Sequence, residues 1–189
     1  MINQTRVGMQ LLEWKANFLA QWCETFGSLS EALEHYENTL ALRTTIDPFP
    51  TARQSSLLLS IGRVRRSIGL NEEAAASFSH AFTIAEAVSN EANSHQAMCL
   101  FELSSALADH GCKLGAMRTL VKAERIIDQS TERNSSLHVV ILYGLVRLFK
   151  DERCAIESQI EKWLLKAQII NDAISTGYDW QWNNFGRFV

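Results

Sequence analysis

The sequence has little proline and no long apolar run, and each shortage excludes a class of protein. Its 189 residues contain two prolines, Pro48 and Pro50, so the rest of the chain is free to be helical. No apolar segment approaches the ~18 residues that a membrane-spanning helix needs. The first five residues lack the basic and then apolar layout of a secretory signal. We therefore expect a protein that neither crosses a membrane nor is secreted.

Closely spaced cysteine pairs and a net positive charge are missing as well. The four cysteines, Cys23, Cys99, Cys112 and Cys154, are widely and unevenly spaced and form no CxxC pair. This pattern favours reduced thiols in a cytosol over a disulfide framework. The formal net charge is −3, whereas a basic surface supplies much of the affinity for nucleic acid. We therefore expect a cytoplasmic protein that does not bind nucleic acid.

Signatures of catalysis and of metal binding are also missing. The sequence has no Gly-rich phosphate loop, HExxH or GxSxG pattern. His95 and Cys99 are one helical turn apart, and His110 and Cys112 end the same predicted helix. Helical rise places His110 about 20 Å from His95, too far to share one tetrahedral ion. The sequence therefore predicts no catalytic residue, no metal site and no cofactor.

What the sequence does contain is an internal repeat. Three glycines, Gly27, Gly69 and Gly111, follow one another at intervals of 42 residues. Five residues after each glycine comes an alanine: Ala32, Ala74 or Ala116. Four residues later comes a large apolar residue: Tyr36, Phe78 or Leu120. Three residues after that comes a small residue: Thr39, Ala81 or Ala123. A fixed period of this length is typical of repeat architectures.

Each unit is predicted to be a helical hairpin. Apolar residues before the glycine recur at helical spacing, as Leu58, Ile61 and Val64 do. The glycine ends this helix because it adopts a left-handed conformation at little cost. Capping and acidic residues follow, as in Ser28-Leu29-Ser30-Glu31 and Asn71-Glu72-Glu73, and predict the start of a second helix. The alanine of the repeat then allows the two helices to pack closely.

The repeat resembles the tetratricopeptide repeat (TPR). The pattern is L-x2-[IL]-[GS]-x6-G-x4-A-x3-F-x2-A, and residues 58–81 carry all of it. A period of 42 residues is similar to the longer-helix variety found in kinesin light chains and bacterial signalling proteins. The likeness covers about residues 13–129, and Arg65 departs from it where the family usually has a large aromatic or aliphatic residue. The resemblance implies an all-α superhelical solenoid.

The solenoid is expected to hold about four hairpins in one domain, residues 1–176. Their predicted bounds are about 5–46, 51–89, 91–129 and 134–175, with the two prolines at the first joint. The fourth hairpin lacks the glycine in its turn, which is typical of a terminal repeat that caps a stack.

The last segment, 177–189, differs from the repeats because it concentrates aromatic residues. They are Tyr178, Trp180, Trp182, Phe185 and Phe188. Three interpretations remain open: a tail that covers the last hairpin, the cut end of a longer protein, or a docking peptide through which the chain associates with another chain or with itself.

The resemblance also implies where a ligand would bind, because the first helix of each TPR hairpin lines a concave groove. The candidate groove residues are Trp14, Asn17, Phe18, Gln21, Leu59, Arg63, Arg66, Met98, Phe101, Glu102 and Ser105. The two arginines could pair with a ligand carboxylate; alternatively, they are solvated or bridge to Glu24 or Glu102. The aromatic residues and Met98 could anchor an apolar side chain or pack within the superhelix.

These residues point to an interaction module rather than to an enzyme. TPR domains that bind chaperone C-terminal tails resemble one another in a carboxylate clamp of Lys, Asn and Arg. At the matching positions this chain has Asn17, Gln21, Ser60, Met98 and Glu102, which argues against such tails as ligands. We expect a non-catalytic scaffold that binds a peptide or protein segment in its groove. The alternative is a sensory or regulatory domain of a bacterial signalling or transcription regulator, a fragment of a longer protein.

Overall fold

The computed structural model describes residues 2–89, 91–132, 135–151 and 157–175, and every regular element in these ranges is an α-helix. The helices are α1 (Ile2–Thr25), α2 (Leu29–Ile46), α3 (Ala52–Ser67), α4 (Asn71–Val88), α5 (Ser94–Asp109), α6 (Lys113–Gln129), α7 (Ser136–Asp151) and α8 (Glu157–Ser175). The predicted all-α architecture is confirmed. Segment 177–189 lies outside the described residues, so its three interpretations stay predictions.

The helices pack in sequence order as a stack of hairpins. Within hairpins, α1 packs on α2, α3 on α4, α5 on α6 and α7 on α8. Between hairpins, α2 packs on α3, α4 on α5 and α6 on α7. No helix in the described ranges is both long and apolar enough to cross a membrane.

The three repeated glycines end their helices as predicted. Gly27, Gly69 and Gly111 have φ angles of 85°, 85° and 86°, in the left-handed region that L side chains rarely adopt. After the first of them, the Ser28 amide donates to the Cys23 carbonyl at 2.8 Å, the long closing bond of a Schellman cap. The other two glycines are followed by the same bond.

The second helices begin where the sequence predicts, with Glu31 and Glu72 in the first turns of α2 and α4, but their caps differ from the prediction. Ser28 precedes α2 but makes no side-chain capping bond, and Asn71 is the first residue of α4 rather than its cap. The residue after each turn glycine has φ near −80° and ψ near 65°, not the extended conformation from which a cap side chain reaches the third amide. The capping prediction was therefore wrong for the second helices. True caps occur at two first helices, where Thr51 and Asn93 accept the third amide.

Close packing inside the hairpins confirms the role predicted for the small residues. Ala32, Ala74 and Ala116 are completely buried, and so is Phe78. A Cβ atom added to Gly62 would lie 2.5 Å from Cε1 of the Phe78 ring, so α3 and α4 approach at a distance that only glycine permits at this position.

Candidate binding surface

The first helices of successive hairpins lie side by side on one face of the stack. α3 contacts α5, and α5 contacts α7. α1 joins them through an ion pair in which the Arg53 Nε atom of α3 lies 2.7 Å from Oε1 of Glu13. We call the surface formed by α1, α3 and α5 the first-helix face. The predicted groove residues lie on these three helices.

Two arginines of α3 share one carboxylate of α5 on this face. The Arg63 Nε atom donates to Oε1 of Glu102 at 2.7 Å, and Nη1 of Arg66 donates to Oε2 at 3.4 Å. Arg66 also donates from Nε to Oδ2 of Asp109 at 2.6 Å. Of the arrangements left open by the sequence, bridging to Glu102 is the one observed. The Arg63 side chain is still 45% exposed, so its other N–H groups can reach a ligand.

The polar network continues toward α1 through Tyr36 of α2. The Tyr36 hydroxyl donates to Oε2 of Glu24 at 2.7 Å. Burial, followed by this hydrogen bond and the Glu24 charge, raises the pKa of Tyr36 well above its ordinary value, although Ser60 and Arg63 act in the opposite direction. The phenol therefore remains a neutral donor at physiological pH.

The eleven predicted groove residues differ in exposure. Trp14, Phe18, Gln21 and Arg63 are exposed; Asn17, Arg66, Met98, Phe101 and Ser105 are half-buried; Leu59 and Glu102 are buried. Leu59 packs in the hydrophobic core that hairpins two to four share, so it offers no surface to a ligand. Glu102 acts by holding the two arginines.

An aromatic row along α1, ending at the residue that follows the helix, was only partly covered by the groove prediction. Trp14, Phe18, Trp22 and Phe26 follow at intervals of four residues, with neighbouring ring centroids 5.9, 6.3 and 4.5 Å apart. Val7 and Leu11 extend the row toward the start of the helix. We call these six residues the α1 stripe. The four-residue spacing alone could have identified Trp22 and Phe26.

A second polar cluster lies where α3, α4 and α5 meet. The buried Ser55 hydroxyl donates to the Ala81 carbonyl at 2.7 Å and lies 2.8 Å from Nε2 of His95. Cys99 is next to it, and burial raises the pKa of this thiol to about 11. A serine hydroxyl bound to a core carbonyl and a protonated thiol are poorly placed for nucleophilic chemistry. We interpret this cluster as structural.

The same cluster predicts a pH dependence of stability. Burial, and then the charge of Arg63, lowers the pKa of His95 from its ordinary value of 6.5. The unfolded chain binds this proton more readily than the folded chain does. The contribution of neutral His95 to the free energy of unfolding is therefore complete above about pH 6.5 and is lost as the pH falls through the lower folded pKa. We expect urea denaturation to show a smaller loss of stability between about pH 7.5 and pH 5.5 in His95→Gln than in the wild type.

The exposed His80 supplies the control for this experiment. His80→Gln should keep the wild-type pH dependence, since it removes an imidazole from the surface and leaves the cluster of Ser55 and His95 unchanged. Equal slopes for His95→Gln and the wild type would contradict the prediction.

One group of side chains could in principle hold a metal ion. The ligand atoms of Glu124, Asp128 and His138 lie within 4.8 Å of one another, a group that the sequence did not predict. The Lys166 ammonium, however, donates to Glu124 at 2.9 Å and to Asp128 at 2.7 Å. Desolvation alone would lower the pKa of Lys166, but the bonds to these carboxylates outweigh it and raise the pKa. A metal ion would have to displace this cation, so we interpret the group as an ion-pair cluster that ties α8 to α6.

Comparison with known proteins gives matches only among solved structures. No protein-family model and no curated protein sequence matches the chain. The structure of BtubC (BKLC) from P. vanneervenii matches with a TM-score of 0.77, covering 92% of this chain and 68% of that one at 17% identity.

Two structures from Podospora anserina also match. Both are of a protein assigned as a kinesin light chain with nearly identical TPR-like repeats. One covers 88% of this chain and 77% of that one at 16% identity, with a TM-score of 0.67; a singly substituted form of the same protein has a TM-score of 0.69. At these identities the likeness concerns the fold. The chain has the TPR-like helical-repeat fold that its 42-residue period predicted.

Proposed function

We propose that the protein is a non-catalytic interaction module that binds a peptide or protein segment on its first-helix face. The observation that carries this proposal is the pair of arginines held by Glu102 next to half-buried apolar side chains of α5. Arg63 and Arg66 supply N–H donors, and Met98 and Phe101 supply apolar contact area. A TPR-like fold supports a protein partner in general.

The charges of the face restrict the kind of segment that fits. The two arginines are offset by Glu102 and Asp109, so the surface is not a basic patch for a highly acidic ligand. A segment with apolar side chains and a single carboxylate could instead use the N–H groups that the ion pairs leave unused. Asn17 and Gln21 border this surface on α1 and add amide groups that can donate and accept. Trp14 and Phe18 lie farther along α1, in the α1 stripe.

The test is to select peptides from a random phage-displayed library on the full chain and to measure their affinities by fluorescence anisotropy. Arg63→Gln/Arg66→Gln should weaken the binding of the selected peptides at least tenfold, because each charge-assisted hydrogen bond contributes about 1.5 kcal/mol or more to the binding free energy. Glutamine is preferable to glutamate, which would face Glu102 and Asp109 and destabilise the fold.

The matched control replaces two arginines away from the face. Arg118 and Arg125 are exposed on α6, and Arg118→Gln/Arg125→Gln removes the same charge. This variant should bind the selected peptides like the wild type. Equal affinities for all three proteins, or a library that yields no peptide, would refute the proposal.

A further inference from the structure

We propose that the α1 stripe is the interface of a homodimer in which α1 of one copy packs on α1 of a second copy about a two-fold axis. The six side chains of the stripe are each 49 to 66% exposed, although all are large and apolar. The contacts that carry the proposed function lie on α3 and α5, so the inference does not rest on it, although a dimer would cover Trp14 and Phe18 of the first-helix face.

The repeat itself does not require an apolar surface at these positions. Residues 42 further along the chain occupy the same place on α3, where Leu11, Trp14 and Phe18 are replaced by Arg53, Ser56 and Ser60. α3 is thus polar at the places of Leu11, Trp14 and Phe18, whereas Val7, Trp22 and Phe26 have the apolar counterparts Phe49, Val64 and Ile68. The apolar character of the middle of the stripe is therefore not imposed by the repeat and calls for something that covers it.

One part of the stripe does correspond to a buried contact in the repeat. Trp22 matches Val64 of α3, which is 1% exposed and packs with Tyr36 of the preceding hairpin. Trp22 has no preceding hairpin among the described residues and is 55% exposed. The stripe therefore lies partly on the side of the helix by which later hairpins already stack.

The area of the stripe suits a dimer. Phe and Trp side chains bury about 150–250 Å² each when covered, and Val and Leu somewhat less. The exposed parts of the six stripe side chains therefore amount to about 600 Å² per copy. This is at the upper limit of the patches found on monomers, and close to the ~800 Å² per partner of a standard interface. A second copy would remove most of this surface from water.

The order of side chains makes the stripe complementary to itself. Its midpoint is near Ala16, and an antiparallel crossing there sets the aliphatic end, Val7 and Leu11, against Phe26 and Trp22 of the second copy. A two-fold interface requires such pairing of the two ends, and antiparallel helices also oppose their dipoles favourably. By helical periodicity the one charge beside the stripe is Lys15, which lies near the axis at the edge of the stripe, where its long side chain can turn its ammonium group toward water. A surface bordered by one cation offers little to a strongly charged partner.

Sedimentation equilibrium of the full chain between about 1 and 200 μM tests the proposal. We expect a concentration-dependent dimer, and we expect Trp14→Glu/Trp22→Glu to remain monomeric with unchanged helical circular dichroism, its dissociation constant raised at least 100-fold. The matched control is Leu114→Glu/Ile169→Glu, which alters two equally exposed residues away from the stripe, 68% and 61% exposed, and should dimerise like the wild type. A monomeric wild type at 200 μM, or assembly beyond a dimer, would overturn the proposal.

Cross-linking tests the antiparallel arrangement. With Cys112 and Cys154 replaced by serine, Lys15→Cys should form a disulfide-linked dimer under mild oxidation, because position 15 is near the axis. Gln168→Cys, exposed on α8, should not, and neither should Val7→Cys, because an antiparallel crossing near Ala16 holds its two copies about 28 Å apart whereas a parallel one would bring them together. Absence of the Lys15→Cys cross-link would refute the antiparallel two-fold.

The aromatic segment 177–189 is the competing occupant. Trp180→Ser/Trp182→Ser in the full chain should dimerise like the wild type. If this variant is monomeric while the stripe is intact, the segment is the occupant of the stripe and the proposal is wrong.

Discussion

Replacing Phe78 with alanine is expected to lower the free energy of unfolding by about 4 kcal/mol. The ring is completely buried and lies where α3 and α4 approach most closely, at Gly62. Its removal costs the transfer free energy of the ring and leaves a cavity whose rigid helical walls can close only in part. Urea denaturation followed by circular dichroism measures this loss.

Gly62→Ala should lower the free energy of unfolding in the wild type and raise it in Phe78→Ala. In the wild type, the new methyl group would lie 2.5 to 2.8 Å from three atoms of the Phe78 ring, and overpacking of this kind costs about 3 kcal/mol. The higher helix propensity of alanine returns only about 1 kcal/mol, so the variant should be less stable than the wild type. In Phe78→Ala the same methyl group enters the cavity, and Gly62→Ala should stabilise the protein by about 1 kcal/mol.

Gly8 supplies the control for this pair. It lies within α1 with nothing within 4 Å of a Cβ added to it, so Gly8→Ala should raise the stability slightly in both backgrounds. If Gly62→Ala has the same effect with and without the Phe78 ring, the close contact between α3 and α4 does not limit the packing.

The structural features that could be predicted from the sequence are those that permit only one or two residue types at a given position. A turn with φ near 85° selects glycine, a helix contact without room for a Cβ also selects glycine, and a fully buried contact with room for little more than a methyl group selects alanine. Because these requirements recur with each hairpin, they appear as a period of 42 residues, from which the all-α stack could be predicted. The caps of α2 and α4 were mispredicted because a serine or asparagine near a helix start caps it only when the backbone there is extended.

The binding surface was less predictable because it depends on contacts between repeats. Arg63 and Glu102 are 39 residues apart and meet only once α3 and α5 are side by side. The resemblance to the TPR placed Leu59 on the groove, but Leu57, Leu58 and Leu59 are all buried, since α3 packs on α2, α4 and α5 at once. Trp22 of the α1 stripe shows the opposite effect: its counterpart Val64 is buried against the preceding hairpin, whereas no earlier hairpin among the described residues covers Trp22.

Removing the charge of Glu102 is expected to change stability and ligand binding in opposite directions. Glu102→Gln should lower the free energy of unfolding by about 2 kcal/mol, less than the 3–5 kcal/mol typical of a broken buried pair. The loss is smaller than that typical value because the Arg63 and Arg66 side chains, 45% and 29% exposed, can recover part of their hydration. The amide oxygen of glutamine still accepts one hydrogen bond, so the arginines keep their approximate positions.

Peptides that carry one carboxylate should bind Glu102→Gln about tenfold more tightly, because the ligand no longer competes with a protein carboxylate for the guanidinium groups. Anisotropy with a selected peptide and its Glu→Gln counterpart measures this, and the neutral counterpart should bind the variant and the wild type alike. Asp109→Asn is the matched control: Asp109 is 45% exposed and pairs with one arginine, Arg66, among the described ion pairs, so its gain should be smaller. Weaker binding of the acidic peptide to Glu102→Gln would mean that the charge of Glu102 orients the arginines for the ligand rather than competing with it.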